Sequence, residues 1–383
     1  MDENLKAWDR ALNPRRALKL LRETSSGSGL EIGRLLRIAT VKHKPGCRLT
    51  VRYDVEAGWD GGALAPRVLY GKLYRGRRGE RVYQTHRYLR SLVRPTVQFP
   101  EALGYHAQRR FLLLDGLEGL SLADGMRGVE AHIHLAHLGH CLTALHSSLM
   151  AKPTDATGSG PCGKFLGLHD ARAESSVVAG ARERIEAAAL PAAVKRRFRA
   201  AHARLAEGLV PVGSNATALH RHIVHRDLHP QQVILLEGRI GLLDLDEVSV
   251  GEAELDVGNL VAHLILEDLQ WLGVAGLAPF LTRAFLRPYM AHLSLERERM
   301  ALYLASALLR LASLRRLSQS DISVLDWPYL AGALIKEAVD ALSGAWLPSD
   351  DWDDPDLARR GRDEKVTTTR ARRPHVARPS SVV

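Results

Sequence analysis

The chain has 383 residues, 46% of them hydrophobic and 25% charged, with a formal net charge of +10 at pH 7. That length is enough for two lobes and a sizeable core, and no run of about 20 uncharged apolar residues suggests a membrane-spanning helix. The charged N-terminal stretch does not resemble a secretory leader. Cys47, Cys141 and Cys162 lie far apart and read as reduced thiols of a cytoplasmic protein.

In chain order, residues 1–29 are expected to form one helix, LKAWDRALNPRRALKLLRE, ending in a flexible link, TSSGSG. Three strand-like runs follow: RLLRIATVKH, RLTVRYDVEA and PRVLYGKLYR. The turn KPGC joins the first two and GWDGGALAP the next two, which predicts an antiparallel meander. GERVYQTHRYLRSL reads as a helix with its boundary near Pro95, and FPEALGYHAQRRFLLLDGLEG as two more strands and a glycine-containing connector. From about residue 120 the pattern turns helical, with Leu138, Leu142, Leu145 and Leu149 on one face. The stretch 153–163 reads as a loop and 170–208 as an Ala/Arg-rich helix. A short β island follows (IVHRD, QVILLEG, RIGLLDLD), then helices from about 255 to 345. The final stretch from 358 holds eight Lys/Arg against two acids and no aromatic residue. A solvated, disordered tail fits that composition better than a nucleic-acid surface, which would interleave aromatics.

The chemistry concentrates in HRDLHPQQV, residues 225–233, and the hairpin after it. Asp227 follows an apolar strand and opens a turn, where a carboxylate can accept a hydroxyl proton. His225 is placed to brace that loop. Gln232 lies at the start of the next strand and offers an amide oxygen. Asp244 ends the strand after that, with Asp246 pointing the same way two residues on, and hard-cation ligation gives such carboxylates a reason. Lys72 sits mid-strand among apolar neighbours and needs a partner if buried. The only carboxylate between it and Pro100 is Glu80, the local candidate for pairing. Zinc is the competing reading, because His220, His222, His225 and His229 crowd one stretch. The strand–turn context does not suit it, and the five histidines of the 132–146 helix read as a polar face.

These residues resemble the aminoglycoside phosphotransferase and choline kinase group of small-molecule kinases. The resemblance rests on HRDLHPQQV, on LLDLDEVSVGEAELDVGNLV, and more loosely on GKLYR, FLLLDGLEG and LTALHSS. It implies an α+β, protein-kinase-like two-lobe fold, with an antiparallel β-sheet lobe and a mostly helical second lobe. The expected division is an N-terminal helix and link (1–29), a nucleotide-binding β lobe (30–114), a hinge (115–119), a helical lobe with the acceptor site (120–348) and a basic tail (349–383). It implies ATP as phosphoryl donor, Mg2+, and a hydroxyl-bearing small-molecule acceptor. Asp227 matches the catalytic base, Asp244 the main magnesium ligand and Lys72 the phosphate-contacting lysine. Asp256 looks like a brace for the catalytic loop, and the hinge around Leu114–Leu117 would face the adenine.

Three departures stand out. Gln232 replaces the usual metal-ligating Asn, one methylene longer. Arg226 replaces a common Gly, a change that reads as harmless. The loop between the first two strands carries a single Gly, so Lys44 and Arg48 are candidates to supply cations instead of a backbone cradle. The first and third departures keep a second reading open, a pseudokinase acting as a nucleotide-binding or regulatory module. A protein-directed kinase is disfavoured, because EVSVGEAELD is too short for a peptide platform. The acceptor would lie in the helical lobe, where Glu267, Asp268, Asp321 and Asp326 are the acids on offer.

Overall fold

The computed structural model describes residues 3–44, 47–92, 96–149, 166–209, 221–319 and 323–346. The centre of the KPGC turn, the Pro95 boundary, the 153–163 loop with Cys162, His220, Asp321 and the tail from 349 lie outside the described residues.

The N-terminal segment is two helices, α1 (Glu3–Leu12) and α2 (Pro14–Ser25), where one was expected. Proline inside a helix loses a hydrogen bond and clashes with the preceding turn. The chain therefore breaks at Asn13, whose Oδ1 caps α2 by accepting from Arg16 N–H at 3.3 Å. Thr24 and Ser25, read as part of a flexible link, are buried within α2. Ala11, Ala17, Leu20 and Leu21 pack with Val51, Tyr53, Val55, Leu69 and Phe111. The segment thus belongs to the first lobe's core.

That lobe is a five-stranded sheet of order β1-β2-β3-β6-β5, antiparallel throughout. The strands are β1 (Leu30–Lys44), β2 (Arg48–Trp59), β3 (Ala65–Tyr74), β5 (Ala102–His106) and β6 (Phe111–Asp115). Helix α3 (Arg78–Leu92) and the short β4 (Val97–Gln98) lie between β3 and β5. Alternation along β3 separates two faces. Leu69 and Leu73 face the core shared with α1 and α2, while Tyr74 joins Val82 of α3, Leu112 and Leu114. Gly71 is required beside Lys72, because a Cβ there would meet the Phe111 ring at 2.4 Å.

The second lobe begins with β7 (Leu120–Ser121), α4 (Leu122–Gly125) and α5 (Ala131–His146). After β8 (Gly167–Leu168), the expected 170–208 helix divides at Pro191 into α6 (Ala171–Ala187) and α7 (Ala192–Gly208). The β island comprises β9 (His222–Val224), β10 (Val233–Leu236), β11 (Arg239–Leu242) and β12 (Ser249–Gly251). It forms two small sheets, β4-β11-β10-β7 and β8-β12-β9. Helices α8 (Ala253–Leu272), α9 (Ala278–Met290), α10 (Arg297–Ala312) and α11 (Trp327–Leu342) complete the lobe. Its large apolar core also recruits Leu89, Val97 and Phe99 from the α3–β5 connection.

Candidate active site

The loop after β9 is tied down by one buried carboxylate. Asp256, in the first turn of α8 and fully buried, accepts from His225 N–H at 2.6 Å and from Arg226 N–H at 2.6 Å. His146 Nε2 lies 3.1 Å from Oδ2, the oxygen that also accepts from His225 N–H. Burial alone would favour the neutral acid, but the His146 and backbone hydrogen bonds prevail and hold the carboxyl below its usual range. His225 donates from Nε2 to Leu243 O at 2.6 Å, so the brace reaches the far strand of the β10–β11 hairpin. Asn259, one turn along α8, donates to Leu228 O at 2.8 Å. Asp227 is left half-buried at the mouth of this braced loop.

Arg226 has φ 68°, in the left-handed region, which costs an L-residue roughly 1–2 kcal/mol. A Gly would take this backbone conformation without that cost. Its guanidinium reaches Glu247 O at 3.3 Å, and its N–H is held by Asp256, so the surroundings impose the strain.

Antiparallel pairing of Val233 with Leu242, extended by Leu243 N–H to Gln232 O at 2.9 Å, brings Gln232 beside Asp244. Asp244 does not end a strand as expected. It follows β11 with φ 51° and leads into a 3-10 turn that carries Asp246. The turn aims both carboxylates at β3. Lys72 Nζ lies 2.7 Å from Asp244 Oδ1 and 2.7 Å from Asp246 Oδ1. Arg48, the first residue of β2, bonds both carboxylates as well, and Tyr74 Oη donates to Asp246 at 3.1 Å. Burial resists charging Asp244, yet Lys72 and Arg48 hold its carboxyl far below the usual range. Two carboxylates and two cations balance locally, which makes their burial tolerable.

The expected pairing of Lys72 with Glu80 is not formed. Glu80 is exposed, and Asp244 and Asp246 are the partners of Lys72. The α3 side chain that feels Lys72 is His86. It is fully buried and pushed down to about 4 by burial and by that cation. Its Nδ1 donates to Pro100 O at 3.0 Å, and Nε2 has no partner among the described residues. Lys44 is exposed at the end of β1, while Arg48 enters the site.

On the other side of Asp227, His229 Nε2 lies 3.9 Å from Asp227 Oδ2 and its ring stacks on His263 at 4.8 Å. Gln231 bridges outward, with Oε1 2.7 Å from His229 Nδ1 and Nε2 donating to Glu267 at 3.1 Å. Of the two glutamines, Gln231 reaches α8, while the backbone of Gln232 pairs with Leu243, next to Asp244. Of the acids expected near an acceptor, Asp268 is spent accepting from Leu277 and Ala278 N–H at 2.6 Å each, at the start of α9. Asp326 is exposed at the start of α11, and Glu267 is buried, with burial pushing its carboxyl up to about 7.

Beside the hinge, a cavity of about 340 Å³ is lined by Val68, Asp115, Gly116, Leu117 and Leu236, among others. Leu114 is buried at the end of β6. Among the described residues, no group of three or more His, Cys, Asp or Glu side chains is placed to hold a metal ion. The hard oxygen donors of this region are the carboxylates of Asp244 and Asp246, with Gln232 on the paired strand, a set that suits a Mg2+-like cation.

Sequence reasoning missed three contributors. His146 was grouped with a polar helix face, yet it is fully buried against Asp256 and Tyr289. Its place at the end of the leucine face of α5 was the available signal. Tyr74 follows Lys72 at the same-face spacing of a strand, so its contact was legible. Nothing in the sequence pointed to His86.

The model of the phosphotransferase enzyme family matches residues 64–303. Solved structures with this fold include a choline kinase from Cryptosporidium parvum Iowa II. It is 11% identical with a TM-score of 0.55, and the match covers 92% of this chain and 99% of that one. Another is amicoumacin kinase hAmiN in complex with AMP-PNP, Ca2+ and Ami, 13% identical, with 89% and 96% covered and a TM-score of 0.53. A choline/ethanolamine kinase family protein from Mesorhizobium loti is 15% identical, with 96% and 100% covered and a TM-score of 0.50. A search of the curated proteins returned no match. At these identities the structures establish the fold, a kinase-like α+β architecture of two lobes.

Proposed function

This chain belongs to the phosphotransferase enzyme family and acts on a hydroxyl group of a small molecule, and on that premise we propose that its donor is ATP and its metal Mg2+. The observation that carries the reading is the convergence of Lys72 and Arg48 on Asp244 and Asp246, beside a loop that presents Asp227. Lys72 and Arg48 are two cations already gathered where phosphates would arrive. Lys72 holds the α/β phosphates, and Arg48 takes the place of a glycine-rich cradle. Asp244, Asp246 and Gln232 would hold the metal. When bound, Mg2+ would supply positive charge that offsets the charge of the phosphates. The hinge around Leu114–Leu117 receives the adenine. That amicoumacin kinase is solved with AMP-PNP and Ca2+ supports a nucleotide and a divalent cation in this fold.

Asp227 orients the acceptor hydroxyl and accepts its proton. The hydroxyl oxygen bonds to the γ-phosphorus as the bridging P–O bond breaks, and ADP leaves with the bond's electron pair. His225 and Asp256 keep the loop in register for that in-line attack. Cytoplasmic ATP makes the cytoplasm the proposed compartment.

Two features favour the second reading, a pseudokinase. Both carboxylates are fully engaged by Lys72 and Arg48, and Gln232 is longer than the usual amide ligand. Calorimetric titration of ATP with and without Mg2+, into wild type and Asp244→Ala, separates the two. Magnesium-dependent binding that the variant loses supports phosphoryl transfer. A folded wild type that binds no Mg·ATP sinks it.

A further inference from the structure

Helix α3 covers the face of the first lobe's sheet on which Lys72 lies. Lys72 and Tyr74 share that face at the alternate spacing of a strand. Leu112 of β6 pairs with Lys72, and Leu112 and Tyr74 both pack with Val82 of α3. His86 follows Val82 by one helical turn, on the same stripe of α3. It is fully buried, and Lys72 is the charge it feels most.

The tautomer of His86 follows from its partner. Nδ1 lies 3.0 Å from Pro100 O, which can only accept, so Nδ1 carries the proton. Burial and the Lys72 charge keep the ring neutral. Nε2 is then a buried lone pair without a donor among the described residues. Such an acceptor costs free energy until it is met. Lys72 holds the complement. An ammonium has three N–H groups, and here one goes to Asp244 Oδ1 and one to Asp246 Oδ1, at 2.7 Å each. The remaining N–H makes no bond among the described residues.

Charge explains why the residue facing Lys72 from α3 is a histidine. Asp244 and Asp246 already balance Lys72 and Arg48. A third buried carboxylate, on α3, would leave uncompensated negative charge in the cluster and would offset the positive charge that phosphates need. A neutral acceptor holds the ammonium and does neither.

We propose that His86 is a positioning residue for Lys72, its Nε2 accepting the third Lys72 N–H and fixing the ammonium in the cleft once Asp244 and Asp246 turn to a metal. The inference rests on the phosphoryl-transfer reading for that turn. Lys72 then exchanges carboxylate oxygens for phosphate oxygens while His86 keeps it aligned. Without that acceptor the ammonium sits on a long flexible stem, and the entropy lost in ordering it weakens nucleotide binding.

The test uses two substitutions in the full-length protein, each keeping one half of the ring's bonding. His86→Asn can still donate to Pro100 O but offers nothing at the position of Nε2. His86→Gln places an amide oxygen there. Calorimetric titration of Mg·ATP is run beside urea unfolding. His86→Asn is expected to weaken Mg·ATP about 10-fold, and His86→Gln less than about 3-fold. A purely structural histidine gives the reverse order, because its bond is the one to Pro100. Wild-type affinity in His86→Asn, or binding by His86→Gln no tighter than by His86→Asn, overturns the inference. Should either variant fail to fold, nitrogen NMR of isotope-labelled histidine in wild type decides. The unprotonated nitrogen of His86 is expected to move upfield as it accepts a hydrogen bond on addition of Mg·AMP-PNP; an unmoved resonance overturns the inference. A wild type that binds no Mg·ATP sinks the phosphoryl-transfer reading instead. Asp244→Asn, which weakens one partner of Lys72 without nucleotide, then tests His86 by itself: the same upfield move is expected, and its absence overturns the inference.

Discussion

The two sides of the Asp227 loop are built on opposite principles. On the side of the β10–β11 hairpin, Asp244 and Asp246 are matched by Lys72, Arg48 and the Tyr74 hydroxyl, and the charges close among themselves. On the α8 side, Glu267 and Trp271 leave a buried acceptor and a buried donor without a partner among the described residues. A closed cluster is stable without a ligand and must be opened by one of high charge, which suits a metal-bound polyphosphate. An open cluster leaves desolvated polar atoms uncompensated, which costs free energy. Asp256 stands between them and holds the loop for both.

The sharpest way to break the comparison is at the loop itself. Asp227→Asn is expected to lower kcat by about 10²–10⁴-fold while Mg·ATP affinity stays near wild type, read by steady-state ADP release beside calorimetry. Equal losses in both would move Asp227 into the nucleotide side. Next is the shared brace. Asp256→Ala leaves two backbone N–H groups and His146 without their buried acceptor, and should cost about 3–5 kcal/mol in urea unfolding. A loss under 1 kcal/mol would mean the loop is held elsewhere.

The open side makes a pH prediction. Glu267 has a folded value of about 7 against an ordinary value of 4.5. An acid raised in the folded state favours folding only while protonated. Stability should therefore fall as pH rises from about 4.5 to about 7, by on the order of 3 kcal/mol. Glu267→Gln should melt like wild type near pH 4 and higher than wild type at pH 8. Parallel pH profiles of the two proteins would show that the carboxyl is not uncompensated. The smallest effect belongs to Arg226→Gly. Relief of the left-handed backbone is offset by the lost Glu247 contact and by the entropy of glycine in the unfolded chain. The net change in urea unfolding should stay within about 1 kcal/mol; a larger loss would make the guanidinium a main support of the loop.

The order of β lobe, connector, helical lobe and terminal helices was legible in alternation and leucine spacing, because those patterns follow from one face of each element being buried. So was the sequence of Asp227, Gln232, Asp244 and Asp246, which lie within one loop and one hairpin. The breaks at Asn13–Pro14 and at Pro191 were legible too, since proline interrupts a helix wherever it falls. The partners of Lys72 were not. Glu80 is its neighbour along the chain, but β3 presents Lys72 to the interlobe cleft, where carboxylates 172 and 174 residues away reach it. The burial of His146 depended likewise on α5 packing against α9, which brings Tyr289 to its ring, and on Asp256 of α8 reaching its Nε2, and the reach of Gln231 to α8 depended on the 3-10 turn after His229. The sequence by itself determined which residues can carry charge, ligate oxygen-seeking cations or break a helix, because those properties are covalent and local. Which charges cancel, which polar groups stay open and which histidine is neutral was decided only by tertiary structure. Pairing and desolvation are properties of the space between elements, and the spacing along the chain does not encode that space.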